Sequence, residues 1–509
     1  MHKIEYLESK NGSKTCKING LFLHSAYNPL QESERFVQSL NVNFNPSVIF
    51  IIEPGLSYCV QALKKRFPAK KIICIRLNNF FTGYDTDFDS VFYFDSKNPG
   101  DFENSVYSSF SEKVLCSAFF TEWHPSGKIF TEEIKILYKS IKNIIEKAKA
   151  SLVTESFFSK RWFKNSILFN LYLQNTSHYE KGNIPVVICA SGPSLNGSLP
   201  LLKKFRSQYF LISASSAISV LLKNNIVPDV EISTDGGYWA KNHLVWDYKN
   251  YKIPVALTPE SAFPKKLLES QSIIPLLYQD GPGSKLCEKT FKIAGLTFHY
   301  AERNGTVSGT MLRLAENLTD SWIFACGLDL ESSKEKQHAE PNRNELSGRR
   351  NFSRLKNGET VNTCSRFSSS SLNIYRLWFS NLPASCSQKF FRLSDKYKYL
   401  NSLGNIRDVN FDFFEEKLKE NSGKSLKPIK IIPNCEIDET LKQKIKEEII
   451  IFLENAEKDD SFIYSIFPSD EVYIKKLKDE NEIKIMKAKL EKRKKEFFSS
   501  IKKILRTEK

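Results

Sequence analysis

The chain has 509 residues, a formal net charge of +16 at pH 7, 41% hydrophobic residues and 13% aromatic residues. This length exceeds one ordinary core and this composition excludes a disordered or fibrous protein, so two or three folded domains are expected. No span reaches the roughly 18 to 20 apolar residues that cross a bilayer, and the first residues lack the apolar core of a signal peptide. We therefore expect a cytoplasmic protein.

Cysteine and histidine spacing predicts neither a metal site nor a disulfide framework. The ten cysteines contain no C-x-x-C pair, and the seven histidines show no H-E-x-x-H or H-x-H spacing. Much of the positive charge lies in the C-terminal stretch "KAKLEKRKKEFFSSIKKILRTEK". That stretch is typical of a solvated helix face, and no nucleic-acid recognition module accompanies it. The remaining excess charge still favours an acidic partner.

The N-terminal part contains one clear β-α-β unit. Residues 48–76 read "VIFIIEPGLSYCVQALKKRFPAKKIICIR", which is an apolar run, a Pro-Gly turn, an amphipathic helix and a second apolar run. Such a unit implies parallel strands. We place a first domain at residues 1–140.

A second α/β series follows a helical connector. Its apolar, β-rich runs are "IPVVICA", "YFLISAS", "DVEISTD", "IPVALTP", "IIPLLYQD" and "SWIFACGLDL". Strand-then-helix order repeated over this length predicts a doubly wound parallel sheet in a domain at residues 141–405. After about residue 405 the strands are expected to stop, which leaves a helical, basic region at residues 406–509.

The turn in "VVICASGPSL" is the first candidate binding element, because ligands of open parallel sheets lie beyond the carboxyl ends of the strands. Gly192 permits close approach of a ligand to the backbone, and a following helix start favours an anion. Pro193 suits the first helical turn. The turn is neither a Walker loop nor a dinucleotide fingerprint. A Ser-capped helix start without a ligand is an equal alternative.

Four more polar turns follow predicted strands or open a predicted helix. They are Ser213–Ser216, Ser233–Tyr238, Gly305–Gly309 and Gly327–Asp329. Each alone is also typical of a polar turn or a capped helix. Because they lie at one edge of one sheet, together they predict a polar pocket. Neither Asp235 nor Asp329 has a magnesium-binding partner at a recognisable spacing.

The order of motifs along the chain resembles a known family. The motifs are "LHSAYNPLQESERF", "EPGLSY", "FFTEWHPSGKIF", "TESFFSKRWFKNSILFN", "SGPSL", "NIVPDVEISTDGG", "GTVSG", "FACGLDL" and "SGRRNFSRLKNGETV". As an ordered set over most of residues 20–405 they resemble the motility-associated factor (Maf) flagellin glycosyltransferases. The central part is also similar to bacterial sialyltransferases that use CMP-sialic acid.

The resemblance implies both architecture and activity. It implies an α/β fold with a Rossmann-like N-terminal domain, a central doubly wound sialyltransferase-like domain and a helical C-terminal region. The implied reaction transfers a nonulosonic acid of the pseudaminic or legionaminic type from a CMP-activated donor to Ser or Thr of flagellin, for flagellar assembly and motility. Flagellin is then the protein partner, the CMP-sugar is a substrate, and no permanently bound cofactor or metal is expected.

The resemblance also implies a set of binding residues. Carried over by position, the nucleotide would be lined by Gly192, Pro193 and Ser194 and flanked by Ser215, Asp235 and Gly236, while Ser308 and Gly309 would hold the sugar or phosphate. A CMP donor offers one phosphate and a ribose, which suit backbone N–H groups and hydroxyls. Preorganised donors of this kind would stabilise the leaving phosphate.

Two residues are catalytic candidates under the resemblance. Asp329 corresponds to the acid of the sialyltransferase Gly-x-Asp, although the tyrosines that follow it there are absent here. Where those enzymes carry a general-base histidine this chain reads "TVNTCSRFSSSS", so His338 is the remaining candidate to contact phosphate or move the proton. A histidine on a surface loop is the alternative for His338.

Two other functions remain open from the sequence. A related archaeal group that shares the central domain consists of diphosphokinases acting on a pterin alcohol, which need ATP and Mg²⁺. A non-catalytic, flagellin-binding chaperone built on a decayed transferase domain is the third hypothesis. The oligomeric state is not predicted.

Overall fold

The chain folds into two compact units. A computed structural model describes residues 3–331, 338–343, 346, 372, 375–395, 401–420 and 425–507. The first unit comprises residues 1–159 and 460–505, and the second comprises residues 160–459 with 506–509. The expected boundary at 140 falls inside one long helix, and the one at 405 falls inside the second unit. The C-terminal residues are therefore divided between the two units.

The first unit contains two sheets. A three-stranded antiparallel sheet consists of β1 (Ile4–Glu8), β2 (Lys14–Ile18) and β3 (Leu21–Phe22). A parallel sheet consists of β4 (Val48–Ile52), β5 (Lys71–Arg76), β6 (Ser90–Tyr93) and β7 (Phe119–Glu122). The helices from the N-terminal part of this unit are α1 (Pro29–Ser39), α2 (Cys59–Arg66), α3 (Pro99–Ser109), α4 (Glu112–Leu115), α5 (His124–Ile129) and α6 (Thr131–Tyr172), the last of which continues into the second unit.

Strand β4 is the centre of the parallel sheet, whose order is β6-β5-β4-β7. Its five residues are all buried, as expected for a strand whose two faces are both covered. The chain proceeds from β4 through β5 to β6 on one side and then places β7 on the other. The order therefore reverses between β4 and β7, where such a fold ordinarily leaves a crevice.

The turn that follows β4 is filled by the protein itself. Glu53, Gly55 and Ser57 have φ angles of +42°, +55° and +63°. Arg76, fully buried at the end of β5, donates from Nη1 to Glu53 Oε1 at 2.8 Å and to the Gly55 carbonyl at 2.9 Å, and from Nη2 to Ser57 Oγ at 2.8 Å. Its Nε donates to Asp85 at 2.9 Å. The buried Arg76 side chain thus supplies hydrogen bonds to the polar acceptors of this turn.

The second unit is built on one large sheet. Its strands are β8 (Asn175–Glu180), β9 (Val186–Cys189), β10 (Phe210–Ala214), β11 (Val230–Ser233), β12 (Val255–Leu257), β13 (Ile273–Tyr278), β14 (His299–Ala301), β15 (Ile323–Cys326), β16 (Phe390–Leu393), β17 (Arg407–Val409) and β18 (Lys430–Glu436). The order is β17-β16-β15-β9-β10-β11-β12-β13-β8-β18, with β14 pairing β13. All pairings are parallel except that of β18 with β8.

The order of this sheet reverses between β9 and β15. From β9 the chain adds β10 to β13 on one side, and β15 to β17 lie on the other. The helices of this unit include α7 (Leu195–Lys204), α8 (Ile218–Lys223), α9 (Tyr238–His243), α10 (Lys265–Ser270), α11 (Pro282–Ala294), α12 (Val307–Leu318), α13 (Ala384–Ser387), α14 (Phe411–Lys419) and α15 (Glu439–Ala456).

The core of this unit lies on both faces of the sheet. On one face Ile188 and Ile212 pack in a cluster with the apolar side of α12. On the other face Val187 and Leu211 pack with α7 and α8. Successive strand residues therefore serve opposite faces, and the predicted doubly wound α/β class is confirmed.

The expectation that strands stop near residue 405 is wrong. Strand β17 extends the sheet at one edge, and β18 pairs antiparallel with β8 near the other. The signal in "KIIPNCE" is short and contains a proline, which is tolerated because β18 is an edge strand. The helical C-terminal region is confirmed beyond it, in α15, α16 (Asp460–Ile466), α17 (Pro468–Lys476) and α18 (Glu480–Thr507).

Among the helices of the described residues, none has a stretch both long enough and apolar enough to cross a bilayer.

Replacing Arg76 by Met is expected to destabilise the first unit. The change leaves the Glu53 carboxylate buried without its cation, which costs about 3–5 kcal/mol of unfolding free energy. The measurement is denaturant unfolding of the full chain. Lys142→Met is the control, because Lys142 and Glu146 form an exposed pair at 3.7 Å worth about 0–1 kcal/mol. Equal midpoints for the two variants would contradict the assigned role of Arg76.

Candidate functional site

The turns after β9 and β15 meet where the order of the large sheet reverses. The Ala190 N–H donates to the Cys326 carbonyl at 2.9 Å, and the Gly192 N–H donates to the Gly327 carbonyl at 2.8 Å. The pairing of the two strands thus continues into their turns. The predicted turns lie together at the position where an open α/β sheet binds ligands.

Two glycines make this approach possible. A Cβ on Gly192 would lie 2.5 Å from the Gly327 carbonyl oxygen and 2.6 Å from Asp329 Cγ. Gly327 has a φ of +66°, which residues with a side chain rarely adopt. Gly192 is therefore required by the neighbouring turn, a packing reason that the sequence alone did not indicate.

The Asp329 side chain lies at the N-terminus of α7. Its carboxylate accepts from the Ser194 N–H at 2.8 Å and from the Ser194 hydroxyl. The side chain is 4% exposed, and burial raises its pKa while the bonds from Ser194 oppose that rise. Because this carboxylate takes the anion position at the helix start, Gly192, Pro193 and Ser194 form a turn bound to Asp329.

The end of β10 and the segment at residues 338–343 join the same edge. The Ser216 hydroxyl donates to Ser191 Oγ at 2.9 Å, and the Ala339 N–H donates to the Ser191 carbonyl at 2.7 Å. Asn342 Nδ2 donates to the Ser216 carbonyl at 3.0 Å. The candidate residue next to Ser216, Ser215, is buried. His338 precedes Ala339, so the backbone places it beside the Ser191 turn.

A second histidine lies near His338. His243 is almost fully buried at the end of α9. Burial lowers the pKa of His243 to about 4, with further lowering by His338 and Arg343. His243 is therefore neutral at physiological pH and acts as a polar, uncharged neighbour of His338.

Asp235 and Gly236 follow β11 in a local turn. Asp235 is exposed and its carboxylate accepts from the Gly237 N–H at 2.8 Å, which is the Asx-type bond considered as the alternative. A Cβ on Gly236 would lie 2.6 Å from Trp162 Cδ1. Gly236 is thus required by the packing of Trp162, a residue of α6.

The start of α12 has an unpaired donor. Ser308 and Gly309 are buried there, and a Cβ on Gly309 would lie 2.7 Å from Asn304 Cγ. Asn304 Oδ1 accepts from the Thr306 N–H at 3.2 Å, whereas its Nδ2 is buried without a hydrogen-bond partner among the described residues. An amide donor and the first N–H groups of a 12-residue helix therefore lie side by side.

Tyr375 lies near both the start of α12 and the turn after β11. A Cβ on Gly305 would lie 3.8 Å from the Tyr375 ring. Burial raises the pKa of Tyr375, and Asp235 raises it further. The predicted residues thus form two groups, one around Asp329 and one around Asp235 and α12. No hydrogen bond of the described residues joins the second group to Asp329.

Two buried acids were missed by the sequence reasoning. Glu231, in the middle of β11, is fully buried, and Trp246 Nε1 donates to its Oε2 at 2.7 Å. Burial raises the pKa of Glu231 to about 8. Glu260, after β12, is 2% exposed. An acid inside the apolar run "DVEISTD" was the available signal for Glu231, whereas "LTPES" looks like an ordinary polar turn.

Two quoted stretches lie outside the described residues. They are "GRRNFSRLKNGETV" and the serine-rich "TVNTCSRFSSSS", where the sialyltransferases carry their histidine. Their predicted relation to the site stays a prediction.

A family model described as 6-hydroxymethylpterin diphosphokinase MptE-like matches residues 160–335. The MptE-like family is the domain family seen in Maf-like proteins. Within those residues the resemblance drawn from the ordered motifs is thereby confirmed. The MptE-like segment contains the Asp329 turn and the start of α12 but ends before His338.

Two individual proteins are similar over longer stretches. An "Uncharacterized protein" of Treponema pallidum (strain Nichols) is 27% identical over 312 residues, which are 60% of this chain and 66% of that protein, just under two thirds of its length. The solved structure of a MAf glycosyltransferase from Magnetospirillum magneticum AMB-1 aligns with 99% of this chain and 90% of that chain, at a TM-score of 0.49 and 13% identity.

Gly192→Ala is expected to lower the free energy of unfolding of the second unit by about 1–3 kcal/mol, because the added methyl group overlaps backbone atoms of the neighbouring turn. Thermal and urea unfolding measure the loss. Gly197→Ala, in the helix α7 that follows this turn, is the control, since its Cβ would meet only the exposed Asp395 side chain at 3.0 Å. A Gly192→Ala variant as stable as the control would contradict the close approach of the two turns.

Glu231→Gln is expected to change how stability depends on pH. The native carboxyl keeps its proton up to about pH 8, whereas the unfolded chain releases it near pH 4.3. The native state therefore binds more protons between those values, and wild-type stability falls as pH rises by about 1.4 kcal/mol per unit. The variant, relative to wild type, gains stability from pH 5 to pH 8 in urea unfolding. Parallel curves would contradict this assignment.

Proposed function

We propose that this chain is a glycosyltransferase that moves a nonulosonic acid from a CMP-activated donor to Ser or Thr of flagellin. The observation that carries the proposal is a contrast between two helix N-termini. An internal carboxylate is bound at the N-terminus of α7, whereas an unpaired donor lies at the N-terminus of α12. At α7 the carboxylate of Asp329 accepts the Ser194 N–H, whereas at α12 the N–H groups lie beside the unpaired Nδ2 of Asn304. A donor phosphate fits the second position.

The chemistry of a CMP donor suits these groups. The acceptor hydroxyl attacks the anomeric carbon, the bond from that carbon to the phosphate oxygen breaks, and CMP leaves with the electron pair. Negative charge then develops on the phosphate, where Asn304, Ser308 and the first N–H groups of α12 would stabilise it. The nucleotide would extend toward Ser215 and the Gly192 turn.

His338 is the proposed acceptor of the proton from the attacking hydroxyl. It lies next to Ala339, whose N–H is bonded to the Ser191 turn, and it has the neutral His243 as a neighbour. An imidazole can take a proton near neutral pH. Asp329 has the different task of holding the turn, since Ser194 donates twice to its carboxylate.

A second candidate function is pyrophosphoryl transfer to a pterin alcohol. The description of the matching family model favours it, because that description names a 6-hydroxymethylpterin diphosphokinase. The two functions differ in their products: a transferase releases CMP and increases the mass of flagellin, whereas the kinase releases AMP. A flagellin-binding chaperone would do neither.

The test combines the full chain with flagellin and either CMP-nonulosonic acid or ATP, Mg²⁺ and the pterin alcohol. We expect release of CMP and an increase in the intact mass of flagellin equal to one nonulosonic acid residue per modified site. AMP release without that increase would support the kinase. Flagellin binding with neither product would overturn both enzymatic functions.

Asn304→Asp is the matched active-site variant. It keeps an oxygen for the Thr306 N–H and replaces the unpaired donor by an anion, so we expect at least tenfold weaker CMP binding by calorimetry at an unchanged melting temperature. The control is Asn196→Asp, in the first turn of α7, where CMP binding should stay within twofold. Wild-type CMP affinity in Asn304→Asp would place the phosphate elsewhere.

His338→Ala tests the proton transfer separately. We expect at least a hundredfold lower turnover with CMP binding retained, because general-base catalysis contributes about 10²–10⁴. Turnover within twofold of wild type would remove His338 from the mechanism.

A further inference from the structure

One cationic side chain at the carboxyl edge of the large sheet lies over two aromatic rings. The guanidinium of Arg303, two residues after β14, lies 4.1 Å from the ring centroid of Tyr278 and 5.1 Å from that of Trp162. Its Nε lies 3.3 Å from both carboxylate oxygens of Asp280. With the buried Glu260, these residues form what we call the Arg303 cluster.

The terminal nitrogens of Arg303 are available to a ligand. Among the described residues they make no hydrogen bond, and the side chain is 34% exposed. The bonds to Asp280 are long, and that carboxylate is 65% exposed. Contacts with the two rings restrict the motion of the guanidinium, and its fork of N–H groups suits a planar oxyanion.

Glu260 supplies a buried acceptor at the same place. Its Oε1 accepts from the Ser284 hydroxyl at 2.7 Å, whereas Oε2 is buried without a partner in the described part of the chain. Burial raises its pKa, and Arg303 opposes that rise. A buried acceptor without a donor carries a free-energy penalty, which a ligand hydroxyl would relieve.

Gly281 packs its backbone closely against these groups. A Cβ on Gly281 would lie 2.7 Å from Glu260 Oε1 and 3.3 Å from Arg303 Nη2. The start of α11 thus approaches both side chains with backbone alone. The cluster then combines a planar cation and a buried hydroxyl acceptor.

The cluster lies close to the proposed phosphate position along the chain. Arg303 precedes Val307, the first residue of α12, by four positions, and four residues span at most about 14 Å. A ligand with its phosphate at the start of α12 can therefore place an acidic group on Arg303.

We propose that the Arg303 cluster binds the carboxylate of a nine-carbon sugar acid, with Arg303 taking the carboxylate and Glu260 a ring or chain hydroxyl. Asp280 releases the guanidinium when the ligand carboxylate replaces it. The identity of the sugar as the transferred group rests on the proposed function. The binding of a sugar acid can be measured without it.

Binding of free N-acetylneuraminic acid, its methyl ester and CMP to the full chain tests the proposal by saturation-transfer NMR and calorimetry. We expect wild type to bind the acid at least tenfold more tightly than the ester, because the ester lacks the charge. Arg303→Gln should lose that preference and keep CMP affinity within twofold. Arg303→Lys, which keeps the charge but not the fork, should fall between them.

Arg206→Gln is the matched control. Arg206 also lies over a ring, 5.4 Å from Tyr209, and pairs with Asp229 at 2.8 Å, but it precedes β10 and so lies at the opposite edge of the sheet. It should bind the acid as wild type does.

Equal affinity of wild type for acid and ester would overturn the proposal, as would unchanged acid binding in Arg303→Gln. The wild-type comparison decides even if a variant fails to fold. Acid binding without transfer to flagellin would leave the Arg303 cluster intact and remove the proposed function. Transfer to flagellin without a preference for the acid would support the proposed function and remove the role of the Arg303 cluster.

Discussion

The second unit depends on one interaction, the acceptance of two hydrogen bonds from Ser194 by the buried carboxylate of Asp329. It joins the turns of β9 and β15 across a separation of 135 residues, where the order of the sheet reverses. The carboxylate also neutralises the start of α7, because it takes the position that an anion would take. The remaining polar turns lie around the start of α7, which the Asp329 carboxylate already occupies.

The two units treat the same topological position differently. In both, a central strand is followed by a Gly-Pro or Pro-Gly turn beside the strand where the order reverses. In the first unit Arg76 fills that turn with ion pairs and hydrogen bonds. In the second, Asp329 binds one side and the start of α12 keeps an unpaired donor. The same strand order thus yields a closed turn in one unit and a candidate site in the other.

The glycines of the site illustrate how packing and binding are coupled. Gly192, Gly236 and Gly309 each lie where a Cβ would overlap a neighbour, namely the Gly327 carbonyl, the Trp162 ring and the Asn304 side chain. Because these residues have no side chain, separate turns can approach one another closely. This edge of the sheet is therefore built by close contact of loops. Among the described residues, the packing leaves Asn304 Nδ2 and Glu260 Oε2 without hydrogen-bond partners and Arg303 with only long bonds to Asp280.

The sequence by itself determined the strand runs, the order of turns and helices, and the residue types at the sheet edge, because these follow from local periodicity and turn chemistry. Only the tertiary structure decided that Asp329 binds Ser194, that β18 returns to pair with β8, and that Arg303 lies over the rings of Trp162 and Tyr278. Each of these contacts joins residues distant in the chain, and burial of Glu231 and Glu260 depends on the same packing. No local pattern encodes which of two helix starts receives the internal carboxylate.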